Sequence, residues 1–306
     1  MPPSPRSKAG ARAEPAQPGR RQPKLNAMMA CDTAFRIVAR RYLGDLAANH
    51  EATCNGDTTA LHQMRIALTR LRTAILFFSP MVADTQRTRI RDELKWLNGH
   101  LGVARDLDVA IDRLRAADKK QPQAIPHYRS WEDKRTDGHR QLARALRSAR
   151  YRRLAKSTSE WIENGPWSTS RGKQATKDRA APIAAYSADK LARWQERLLK
   201  KGRNLAKLDT EKRHQVRLLN KKLTYSIECF EDLFDDKRFS KQRAGLKHLR
   251  KAQRALGQLN DDVRGRSLAA TLQRDGIPAG MKFFGPKREK RLIRSAAMAY
   301  RKVAEL

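Results

Sequence analysis

The chain is short of acid, of cysteine and of aromatic rings, and each shortage excludes something. Of 306 residues only 32 are Asp or Glu, against 66 Lys and Arg, which leaves a formal charge of +34. So large an excess repels itself in any compact state, and a bound polyanion would relieve it. Nucleic acid, an anionic membrane surface and an inorganic phosphate polymer are the candidates. The three cysteines, Cys31, Cys54 and Cys229, form no CxxC pair. That pattern excludes a zinc ribbon or a disulfide framework and suits reduced thiols in a cytosolic protein. No apolar run reaches the roughly eighteen residues a membrane-spanning helix needs, so no membrane insertion is expected. An N-terminal apolar segment followed by a small-residue cleavage site is also missing, which argues against secretion. Aromatic residues are 6 %, few for the stacking platforms that hold single-stranded nucleic acid.

Strand signals are scarce as well. No alternation of apolar and polar residues bounded by NG or DG turns occurs, and the chain reads as all-α. Residues 1–25 form a basic, Pro-rich tail whose only acid is Glu14; it cannot bury enough apolar surface to order itself. Helical patterns follow at 26–50, where Met28, Phe35, Val38, Tyr42 and Leu46 form the apolar stripe, then at 58–78 and 84–100. Asp57 or Thr58 can cap the second of these, and Pro80 ends it. Gly102 interrupts the third pattern before it resumes to about 117. Pro122 and Pro126 precede one or two helices within 127–163. The Gly, Pro, Ser and Thr cluster at 164–182 is the best break in the chain, a linker between a first helical bundle (26–163) and a second (183–306). Beyond it, helices are expected at 183–207, 210–234, 240–258, 261–274 and 286–305.

The feature that organises this series is a repeat. The stretch LHQMRIALTRLRTAILFF at 61–78 returns as RHQVRLLNKKLTYSIECF at 213–230. With His62 set on His214, Arg65 meets Arg217, Arg70 meets Lys222, Leu71 meets Leu223 and Phe78 meets Phe230. The likeness continues downstream: Leu94, Lys95 and Gly102 precede Arg105 and Asp106, as Leu249, Arg250 and Gly257 precede Asn260 and Asp261. Two copies of one helical unit suggest two similar bundles about a pseudo-twofold axis.

Helical geometry places the cations. At 100° per residue, Met64, Leu68, Leu71, Ile75 and Phe78 fall in a sector about 80° wide, and His62, Arg65, Thr69 and Arg72 in the adjacent one. In the second copy His214, Arg217, Lys221 and Tyr225 flank Val216, Leu223, Ile227 and Phe230 in the same way. A solvated face would lie opposite the core stripe, not beside it. Cations beside the seam can line a groove, where Arg offers a planar fork to phosphate oxygens and Lys a point charge. The competing reading pairs Arg65 and Arg217 with Asp106, Asp108, Asp261 or Asp262 on neighbouring helices. Arg105, Asp106 and Asp108 after Gly102, and Asp261 after Gly257, read as a structural turn and helix start, where carboxylates favour the positive end of the dipole. No recognisable partner set accompanies these acids, so neither a metal site nor catalytic residues are expected there.

HQMRIALTRLR followed by LGVARDLDV, with a degenerate second copy, resembles the CHAD family, the conserved histidine α-helical domain. The likeness runs from about residue 26 to near the end of the chain. It implies an all-α fold of two four-helix bundles with pseudo-twofold symmetry, a basic channel that binds inorganic polyphosphate, association with polyphosphate granules in the cytoplasm, and no catalysis by this domain. Carried over by position, the binding residues it implies are His62, Arg65, Arg70, Arg72, His214, Arg217, Lys221, Lys222 and Tyr225. Lys95 and Arg250, the cations paired with leucine in the downstream repeat, extend that set. The sequence departs from the family pattern at Thr69 and Thr224, where a cation is common. No ExExK strand motif of a fused triphosphatase-like domain is present. The expectation is a non-enzymatic polyphosphate-binding protein without cofactor; the alternatives are a non-specific nucleic-acid-binding protein and, behind it, a metal-dependent phosphohydrolase.

Overall fold

A computed structural model describes residues 24–117, 127–274, 276 and 283–306. Residues 1–23 of the expected tail, Pro122 and Pro126, and most of the loop before the last helix lie outside the described residues; Leu25, placed in the tail, is buried in the core. Eleven α-helices occur among the described residues and no strand; one isolated bridge joins Ala30 to Pro182. In chain order they are α1 Cys31–Ala48, α2 His50–Cys54, α3 Thr58–Phe77, α4 Thr85–Ala117, α5 Tyr128–Arg147, α6 Ala149–Asn164, α7 Lys173–Ala180, α8 Ile183–Gly202, α9 Thr210–Cys229, α10 Ser240–Arg274 and α11 Pro286–Ala304.

The two repeated helices start in the same way. Asp57 accepts from the backbone N–H of Thr59 and Ala60 at 2.7 and 2.9 Å, and Asp209 accepts from that of Lys212 at 2.7 Å. Each carboxylate satisfies donors that the first helical turn leaves open. Both copies also end on phenylalanine, and these rings join the halves: Phe78 and Phe230 lie 6.3 Å apart between centroids, and Phe77 lies 5.1 Å from Phe230.

The expected turns need correction. Gly102 and Gly257 do not end helices; α4 and α10 run unbroken through them. Arg105, Asp106, Asp108 and Asp261 therefore sit within helices and not at a turn or helix start. A mid-helix glycine costs about 1 kcal/mol relative to alanine. In α4 the buried run Leu94, Leu97, Leu101, Ala104, Leu107, Ala110 and Ile111 crosses the glycine without a change of period and outweighs that cost. The connecting segment 164–182 packs on the core: Trp167 is fully buried, T-shaped against Phe35 at 5.3 Å, and its indole N–H donates to the carbonyl of Trp161 at 2.8 Å. Met28, placed on the apolar stripe, is 73 % exposed and precedes α1.

One apolar cluster runs from Leu25 to Val303 and takes residues from both halves. A smaller one joins the C-terminal parts of α4 and α10, with Ile111, Leu114, Trp131 and Leu272. Helices α3 and α9 thus pack on each other in the middle of the molecule, with α4 and α10 alongside.

Candidate anion-binding site

The seam between α3 and α9 carries a cluster of cations from both repeats. Lys221 on α9 stands among Arg217 of its own helix, Arg65 of α3 and Arg264 of α10. Burial, then the fields of Arg217, Arg65 and Arg264, push its amine down from 10.5 to about 7. Arg65 and Arg217 are themselves held below the ordinary guanidinium range, first by burial. His62 is held below the usual imidazole range by burial and then by Arg105, Arg65 and Lys221. Low dielectric and like charge act in one direction here: each cation disfavours the charge on the next.

Two carboxylates oppose this group, Asp106 and Asp261. Asp106 accepts from Arg264 at 2.9 Å and pairs with Arg65 at 3.9 Å. The Arg65 guanidinium also donates to the carbonyl of Gly102 at 3.4 Å, so the glycine predicted as a turn instead presents a helix carbonyl to the site. Pairing with a neighbouring acid is therefore correct for Arg65 in part. Arg217 makes no ion pair or hydrogen bond among the described residues. Tyr225 closes one side of the cluster, with the Lys221 amine 5.5 Å from its ring centroid and the Arg70 guanidinium 5.4 Å from it. In the second repeat His214 Nδ1 lies 2.9 Å from Asn260 Oδ1.

The remaining predicted residues fall at two edges. At one, Glu228 receives Arg70 at 3.0 Å and Arg250 at 2.9 Å, and Arg250 also donates to Glu231 at 3.1 Å. Burial works against the charge of Arg70, but Tyr42 and Glu228 more than offset it and hold the group above its usual range. At the other edge Lys222 is held below the ordinary ammonium range by burial, Arg197 and Arg72. Arg72 is lowered by burial. Arg72, Lys222 and Arg197 make no ion pair among the described residues. Lys95 is exposed on α4 and likewise unpaired among them.

Asp108 is 2 % exposed and accepts from Arg135 and His139, both at 2.8 Å. Burial alone would raise its carboxyl; those two hydrogen bonds hold it below the usual range. It is a packed ion pair away from the seam. Sequence reasoning missed Arg264 and Arg197. Arg264 stands one turn beyond Asp261 on α10, and the continuation of α10 through Gly257 carries it alongside Arg217 and Lys221 of α9.

Among the described residues no group of three or more His, Cys, Asp or Glu side chains could hold a metal ion. No described helix is long and apolar enough to cross a membrane.

Comparison with known proteins bears on the whole arrangement. The family model described as the CHAD domain matches residues 37–270. The crystal structure of the CHAD domain from the plant Ricinus communis is similar at a TM-score of 0.71 and 24 % identity, covering 95 % of this chain and 93 % of that one. PptA from Streptomyces chartreusis is similar at a TM-score of 0.58 and 17 % identity, covering 90 % of this chain and 96 % of that one. At these identities the likeness is one of fold. No curated protein sequence matches the chain.

Proposed function

The chain belongs to the CHAD domain family, and on that premise we propose that it binds inorganic polyphosphate, without catalysis, along the seam between α3 and α9. The observation that carries this reading is the Lys221 cluster. Four cations from three helices meet there with two carboxylates, and burial together with the neighbouring positive charge drives one amine down to about 7. A phosphate chain entering the seam would supply the missing negative charge. The phosphates would lie on Arg65, Arg217, Lys221 and Arg264, with His62, His214 and Tyr225 as hydrogen-bonding flanks. The chain would continue toward Arg72, Lys222 and Arg197, the edge without carboxylate partners. Arg70 and Arg250, already held by Glu228, contribute field and little direct contact, and Lys95 serves as an outer cation. Residues 26–163 and 183–306 are read as duplicated four-helix units about a pseudo-twofold axis, with 164–182 as the connection, packed on the first of them. Cytoplasmic localisation at polyphosphate granules follows from the same reading.

Titration with labelled long-chain polyphosphate at near-physiological salt tests it. Binding should weaken steeply as salt rises, because each phosphate contacted releases counterions. The double variant Arg65→Glu, Arg217→Glu should lose at least a hundredfold in affinity while its helical circular dichroism stays. Displacement of polyphosphate by duplex DNA or RNA at equal phosphate concentration would favour nucleic acid instead. Binding that survives the double reversal and disappears only on removal of 1–25 would end the seam model.

A further inference from the structure

The second half of the molecule holds a cleft. Its volume is about 600 Å³, within the usual range for small-molecule sites, and it lies between α9, α10 and the start of α11. The cause is a difference between the repeats. In the first half α5 lies on the C-terminal part of α4 so closely that a methyl group on Gly138 would come within 2.7 Å of Leu107. Asp108 is sealed beneath it, 2 % exposed, by Arg135 and His139. With Asp106 set on Asp261, Asp108 falls on Val263 and Ala104 on Leu259. Among the described residues α10 has no such cover at that place. Val263 is 45 % exposed, and with Leu256, Leu259, Phe284 and Pro286 it forms an apolar wall to the cleft.

The opposite wall is cationic. Arg217 enters the cleft without an ion pair among the described residues. Arg264 holds Asp106 through one nitrogen only, which leaves the rest of its fork free among them. The carboxylates on the rim are already engaged. Glu289 accepts from Arg213 at 3.2 Å, Glu211 from Gln215 at 2.7 Å, and Asp262 from Arg266 and the Phe284 backbone N–H, each at 3.0 Å. An inorganic anion would need the guanidinium pair but not the apolar wall. A purely apolar ligand would leave Arg217 buried and unpaired. Two guanidinium forks beside His214 suit a multiply charged phosphate group over a single carboxylate.

We propose that this cleft binds a small organic phosphate of nucleotide size, its phosphates on Arg217 and Arg264 and its apolar body against Leu259 and Val263. The assignment rests on the cleft and not on polyphosphate binding, although the two ligands would share Arg217 and Arg264, with His214 beside both.

Isothermal titration calorimetry of the full chain with ADP tests it, with pyrophosphate as the control that keeps the phosphates and lacks the apolar body. ADP should bind at least tenfold more tightly than pyrophosphate. Val263→Asn, at a half-exposed position, should remove that advantage and leave both pyrophosphate and long-chain polyphosphate binding unchanged. Arg217→Glu should weaken ADP and pyrophosphate alike. Equal affinities for the two ligands, an ADP advantage that survives in V263N, or no loss in R217E would each overturn the assignment. Because V263N leaves the seam intact, failure here and failure of the polyphosphate reading are read from different measurements.

Discussion

Polyphosphate binding should depend on pH through Lys221, and the sign and size can be worked out. In the ligand-free protein its amine is pushed down to about 7, by burial first and then by Arg217, Arg65 and Arg264. Asp261 opposes the shift; Tyr225 is held above its ordinary range by burial and stays neutral in this window. A phosphate placed on the cluster favours the ammonium and returns its pKa toward the ordinary value, so binding takes up a proton near neutrality. About half of the free protein carries that proton at pH 7 and roughly one molecule in a hundred at pH 9, so affinity should fall roughly fiftyfold between the two. His62 is also held below its usual range, by burial and then by Arg105, Arg65 and Lys221, so any proton it takes up on binding acts in the same sense. Stability moves the other way. A lysine whose folded pKa is lowered binds fewer protons folded than unfolded between about 7 and 10.5. The ligand-free protein therefore gains stability as pH rises through that window, and weaker binding at pH 9 cannot be ascribed to unfolding. The assay is affinity for long-chain polyphosphate at fixed ionic strength from pH 6 to pH 9, for the wild type and Lys221→Met. A flat wild-type profile, or the same slope in K221M, would refute the reasoning.

Three further outcomes are expected. Glu228→Gln keeps the shape of the side chain that joins Arg70 and Arg250 but removes its charge; stability should fall by about 1–3 kcal/mol, while polyphosphate binds more tightly and with a steeper salt dependence, both read by titration and denaturant unfolding. Trp167→Ala empties a fully buried site against Phe35 and Trp161 and should cost about 3–5 kcal/mol in urea unfolding without altering affinity in the fraction that stays folded. Asp108→Ala leaves Arg135 and His139 facing a site whose carboxylate is 2 % exposed; a loss of about 3–5 kcal/mol is expected, with polyphosphate binding unchanged because the pair lies away from the seam.

Much of this molecule was legible before its coordinates. The duplication, the helical class, the Asp57 cap and the placing of Arg65, Arg217 and Lys221 beside the apolar seam all follow from period and offset, which are local properties of the chain. What was not legible has a common cause. Gly102 and Gly257 were read as breaks because local propensity disfavours them, whereas burial on α4 and α10 decides the matter. The segment 164–182 has the Gly, Pro and Ser/Thr content of a linker, and its packing through Trp167 and the Ala30–Pro182 bridge is not visible in that composition. The pairing of Arg70 and Arg250 with one counter-ion, Glu228, is a product of tertiary packing that no spacing in the sequence discloses.

The repeat departs from itself at the place where charge density requires it. With His62 on His214, Lys221 falls on Thr69, and the Thr69 hydroxyl donates to the carbonyl of Arg65 one turn back. A second lysine at Thr69 would enter the same seam beside Arg65, where one amine is already driven down to about 7. Burial and a further like charge would lower both amines again, and at neutral pH neither would reliably carry a proton. The added side chain would contribute volume and little charge. Thr224, the counterpart of Arg72, is the converse case: it is 1 % exposed, where an arginine would have no solvent to neutralise it. A seam of buried cations thus has a limit set by its own field. Past that limit a small, hydrogen-bonded residue keeps the groove open for the anion, and the anion supplies what another cation could not.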